Sequence, residues 1–181
     1  MTEFDRGVAR RVVRLMQLAD ERWRMQYASM QGQEVSSVEH SDEVQVLLHG
    51  YAVEMLMWAR GLDDWCRGKG TCDALAGYEQ ARENVRGLIE GARYVTNHAV
   101  HQLADLSRVA TGFSVPFSVP LKFDKLAAIT WVTKAFLPLE AEEHDDTQRR
   151  FRQQYVEHLS GRSIDTTMTA LLSWFEEQLR E

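Results

Sequence analysis

Proline is nearly missing from this chain. There are three, Pro116, Pro120 and Pro138, so the first 115 positions contain none. So long a stretch without a helix breaker leaves room for long helices. Cysteine is scarcer still: Cys66 and Cys72 do not form a CxxC pair. The opening MTEFDRGVARRVVRLM carries acidic residues and no small-residue cleavage site. Free thiols and a cytoplasmic protein are therefore expected. No apolar run approaches the length a bilayer demands, so no membrane association is expected. Excess positive charge is also lacking. The net charge of −6 excludes holding nucleic acid through the overall field, but it leaves local basic patches open. There is no glycine-rich phosphate loop, no βαβ alternation, no GxSxG and no HExxH.

What remains is the composition of an ordinary globular protein, 44% hydrophobic and 27% charged over 181 residues. One domain, 1–181, is the natural reading. Val8, Val12, Leu15, Ala19, Trp23, Tyr27 and Met30 recur at three and four residues and predict a helix over about 4–30. Residues 31–40 read as a polar loop. Ser41 suits an N-cap, and Val44, Leu47, Leu48, Tyr51, Met55, Leu62 and Trp65 carry a second helix to about Cys66. RGKGTC breaks it. A third helix, opened by Asp73, follows Val85, Leu88, Ala92, Val95, Ala99, Leu103 and Leu106 to about Ala110, with Gly112 as its stop. The tandem FSVPFSVP then reads as an extended strap, because a residue before proline is pushed out of the helical region. Phe113 or Phe117 is expected to anchor it. Lys122–Leu137 reads as a further helix ended by Pro138, Thr147–Leu159 as one stopped by Gly161, and Ile164–Leu179 as the last. The expected fold is all-α, a bundle of five to six helices.

The segment GARYVTNHAVHQLADL, Gly91 to Leu106, is the most informative. Each residue turns a helix by about 100°, so Val85, Leu88, Ala99, Leu103 and Leu106 fall within about 40° of Ala92. Arg93, Asn97 and His101 lie at about 100°, 140° and 180° on that scale. They form a polar stripe one turn apart, with Arg86, Glu90 and Tyr94 in the same sector. The plain reading is the wet face of an amphipathic helix. The chemical reading is a phosphodiester site. Arginine grips phosphate, asparagine orients a hydroxyl, and histidine moves a proton near neutral pH.

This pattern resembles HEPN domains, in which a long helical hairpin precedes a helix bearing Arg, four to six residues, and then His. TNHAVHQ is similar to the RNxxxHQ form of small actinobacterial and phage proteins of that type. YVEHLSGRSIDTTMTALLSWF resembles their C-terminal part. The likeness spans roughly residues 42–180. Two registers fit. One is Arg93 to His98, with Tyr94 in the polar slot. The other is Asn97 to His101, with Thr96 where the arginine belongs and Arg93 one turn earlier. The resemblance implies a homodimer that cleaves or binds RNA without metal or other cofactor, in a defence or toxin–antitoxin setting. Arg93, Asn97 and His101 would be catalytic. The alternative is an inactive scaffold of the same fold, working through a protein partner.

Elsewhere, Arg6, Arg10 and Arg14 recur at four residues and offer a grip on an RNA backbone, against the plainer reading of a solvated face. His98 and His101 have no third ligand at metal spacing. Asp63 and Asp64 read as capping or solvated charge.

Overall fold

The computed structural model of the protein describes residues 3–30, 38–68, 77–97, 107–109, 129–131, 137 and 145–180. Two long helices, α1 (Glu3–Met30) and α2 (Val38–Cys66), pack along one another and form the largest helix–helix contact among the described residues. Next comes α3 (Tyr78–Arg82), entered from Gly77 at φ +77° and followed by a 3-10 turn over Glu83–Val85 and by α4 (Arg86–Asn97). The pair α5 (Asp146–His158) and α6 (Ile164–Gln178) closes the bundle, with α4 lying chiefly against α5 and α2. The fold is an all-α helical bundle. It carries one short antiparallel ladder, β1 (Ser107–Val109) with β2 (Ile129–Trp131), among the described residues.

Periodicity places α1, α2, α5 and α6 to within a few residues. The local reasons are visible at α5. Asp145 is its N-cap, with the carboxylate accepting from the Gln148 amide at 2.7 Å. Gly161, at φ +72°, ends the following turn in the left-handed region that glycine tolerates.

Four expectations need correction. The buried face of α1 runs through Ala9, Val13, Met16, Ala19 and Trp23, one residue on from Val8, Val12 and Leu15. Adjacent apolar pairs make that stripe wide, and spacing alone does not find its centre. The second helix begins at Val38, so Ser41 lies inside it and is no N-cap. The third helix does not run to Ala110, because Ser107–Val109 is a strand. Nor is Lys122–Leu137 one helix. Ile129–Trp131 is a strand within it, paired as Ser107 with Trp131 and Val109 with Ile129. The reason is local: ITWVT is β-branched and aromatic, and Ile129 and Trp131 are buried while Thr130 is not, a period of two. The strap with Phe113 and Phe117 lies outside the described residues, as do Asp73, Ala99, Leu103 and Leu106.

Two glycines let α4 and α5 come close. A Cβ on Gly91 would stand 2.6 Å from Leu159 Cδ1 and 3.2 Å from the Tyr155 Cα, and one on Gly87 would strike the His158 ring. Backbone cannot swing aside as a side chain can. Gly91→Ala is therefore expected to destabilise the fold by about 1–3 kcal/mol in a urea melt, despite alanine's better helix propensity. An unchanged midpoint would mean that the α4–α5 contact has slack.

Candidate functional site

On the wheel, the apolar line of α4 occupies one side, Gly87 and Gly91 a second, and Arg93 and Asn97 a third. The bundle covers all three. Every residue from Ile89 to Asn97 is buried. The expected wet face is thus an interior one: Arg93 is 6% exposed and Asn97 9%. Hydrophobic periodicity sees only the apolar stripe, and a polar stripe facing another helix's charges gives the same pattern as one facing water.

Those charges belong to α2. Asp63 is fully buried, which corrects its reading as a cap or solvated residue. Its carboxylate accepts from Tyr78 Oη at 3.1 Å, Arg82 Nε at 2.6 Å and Nη2 at 3.3 Å, and Arg93 Nη2 at 2.5 Å. Arg93 also grips Asp64 with both terminal nitrogens, at 3.2 and 2.7 Å. Burial alone would lower the guanidinium's pKa, but the hydrogen bonds to Asp64 and Asp63 outweigh it and hold Arg93 above the usual arginine value. Burial likewise pushes the Tyr78 hydroxyl far up, with the Asp63 charge adding to the effect, so it stays protonated and donates. One turn earlier, buried Glu90 accepts from Arg86 Nε at 3.1 Å and pairs with Arg150 Nε of α5 at 3.2 Å. Arg93 and Glu90 thus clamp α4 to both neighbours.

At the last described turn of α4 the pattern changes. Arg60 of α2 donates from Nη1 to Asn97 Oδ1 at 2.6 Å, and the same nitrogen reaches Thr96 Oγ1 at 3.4 Å. Asn97 Nδ2 in turn donates to Gln148 Oε1 at 3.2 Å. Thr96 donates back to the Arg93 carbonyl at 3.1 Å. The asparagine amide is therefore fixed from both ends, and neither partner is a carboxylate. Desolvation, followed by the nearby Arg93 charge, lowers the Arg60 pKa, while Asp64 pulls the other way.

Of the site residues expected from sequence, Arg93 and Asn97 share this buried face. His98 and His101 lie outside the described residues. Arg6, Arg10 and Arg14 are exposed on α1. Arg10 and Arg14 line one shallow hollow with Glu176 and Arg180, and Arg14 is paired with Glu21 at 3.0 Å. Arg60, Arg82 and Gln148 escaped the sequence reading. The available signal was Asp63-Asp64 near the end of a helix in which Arg60 is the one arginine or lysine, which calls for cations from elsewhere in the chain. Among the described residues, no group of three or more His, Cys, Asp or Glu is placed to hold a metal ion, and no helix is long and apolar enough to cross a membrane. Compared with known proteins, the chain matches no family model, no curated protein and no solved structure.

Proposed function

We propose that the protein is a HEPN-like, homodimeric RNA-cleaving or RNA-binding protein of a defence or toxin–antitoxin type, with its site at the C-terminal end of α4. One observation carries this reading. Asn97 is held rigid between Arg60 and Gln148, just ahead of His98 and His101 in the chain. A pre-oriented amide costs no reorganisation when it positions a phosphate or a 2′-hydroxyl. In this reading His101 removes the proton of the 2′-hydroxyl, and the alkoxide attacks the adjacent phosphorus. The 5′-oxygen leaves with a proton, and a 2′,3′-cyclic phosphate remains. No metal takes part. Arg93 holds the frame on which Asn97 sits.

The test is incubation of single-stranded RNA with the purified protein in EDTA. Cleavage is expected, with loss in His101→Ala and retention in His98→Ala at an unchanged melting temperature. The reverse ranking selects the Arg93–His98 register.

A second reading, the inactive scaffold, is favoured by a different observation. Val46 and Met57 on α2 are 67% and 48% exposed, and Met57 and Trp58 border an open hollow of about 460 Å³. Exposed apolar patches of this kind mark protein contacts. A folded dimer that leaves RNA intact would select this reading.

A further inference from the structure

The RNA reading needs a cation at the phosphate, and Arg93 is occupied by two carboxylates. We propose that Arg60, oriented by Thr96 and Asn97, forms a phosphodiester-binding subsite; the inference rests on the RNA reading of this same end of α4. Arg60 differs in kind from the other arginines around α4. Arg82, Arg86, Arg93 and Arg150 each pair with Asp63, Asp64, Glu83 or Glu90. Arg60 donates to two neutral oxygens and stands near a like charge. Among the described residues, no carboxylate lies within salt-bridge distance of it. A half-buried cation in such surroundings has lost part of its hydration and recovers it only in part, from the Asp64 charge beyond hydrogen-bond reach. An incoming anion supplies the missing term.

The geometry suits a phosphate. Nη1 is engaged by Asn97, which fixes the plane of the guanidinium. The fork has further N–H donors on Nε and Nη2, the arrangement that two phosphate oxygens accept side by side. Arg60 remains partly exposed, whereas Arg82 and Arg93 are buried. Gln148 and Arg150 are near neighbours on α5: the first is bonded to Asn97 and the second is paired with Glu90 one helical turn before Arg93. They provide polar groups along the path of a backbone that leaves the subsite.

The probe is a 2′-O-methyl RNA oligonucleotide, which cannot be cut by its own 2′-oxygen, followed by fluorescence anisotropy across a salt series. Arg60→Gln is expected to weaken binding about tenfold and to lower the slope of log affinity against log salt by about one. Arg60→Lys should restore the slope and only part of the affinity, because the ammonium keeps the charge and loses the fork. Asn97→Asp keeps Arg60 in place and neutralises it. It should abolish binding while leaving the melting temperature equal or higher, which a purely structural tie between α2 and α4 would not do. Equal affinity and slope in Arg60→Gln and wild type would overturn the subsite. If Arg60→Gln fails to fold, unweakened binding by Asn97→Asp overturns it. Arg60-dependent binding with no cleavage of ordinary RNA leaves the subsite standing and removes the nuclease reading. Cleavage indifferent to Arg60 does the opposite.

Discussion

Asp63→Ala is expected to reduce stability by about 3–5 kcal/mol, the range for breaking a buried ion pair by removing one partner. Asp63 is fully buried and gathers four hydrogen bonds from Tyr78, Arg82 and Arg93. Its removal takes Arg82, itself buried, away from its close carboxylate; the other, Glu90, stands 3.9 Å away. The Tyr78 hydroxyl loses its acceptor in a site that already disfavours its ionisation. A typical domain has only about 5–15 kcal/mol in total, so the loss is a large fraction. Arg93→Ala should follow in the same direction, nearer about 3 kcal/mol, since Asp63 then keeps Arg82 and Tyr78. Urea melts of both variants check this. The consequence reaches the functional question. A loss of activity in Arg93→Ala would report the state of the fold and not a role in chemistry, so Arg60 and His101 are the informative positions. A melt unaltered in Asp63→Ala would mean that the network adds nothing net, and Arg93 would return as a candidate for the phosphate.

The helices were legible in sequence because each long one turns an apolar stripe inward, and the stripe is what periodicity detects. Capping chemistry was legible where a single residue decides it, as at Gly161. Two kinds of structure were not. The strand at Ile129–Trp131 is three residues long, shorter than a window that separates a period of two from one of 3.6. The buried network was hidden for a different reason. Asp63, Arg82 and Arg93 lie on three separate elements, and nothing in any one helix says that its polar side meets a partner instead of water. The small residues Gly87 and Gly91 carry the remaining hint. They mark a second face of α4 as a contact, which leaves less of the helix to be wet.

The strand that periodicity missed is a bolt, and Trp131→Ala should show it with a loss of about 3–5 kcal/mol. Trp131 is fully buried, and its backbone ties two regions together. On one side it pairs with Ser107 of β1. On the other, its N–H donates to the Arg162 carbonyl at 3.0 Å and its carbonyl accepts from the Gly161 N–H at 3.1 Å. The turn between α5 and α6 is thereby fixed to the ladder. The indole Nε1 donates to Thr167 Oγ1 at 2.9 Å inside α6, and that hydroxyl donates onward to the Ser163 carbonyl at 3.2 Å. Truncation to alanine empties the volume of the largest side chain and also removes the Nε1 donor, so the cost is a cavity plus one hydrogen bond. Trp131→Phe separates the two contributions. It keeps most of the ring contacts and deletes the Nε1 donor, and it should cost about 1 kcal/mol for the lost hydrogen bond plus the smaller ring. Hydrogen exchange at the Gly161 and Trp131 amides gives the second readout. Both should lose protection in Trp131→Ala well before the amides of α1, because the turn comes free of the ladder while the α1–α2 pair does not depend on it. Uniform loss across all helices would mean that the ladder and the long pair unfold as one unit.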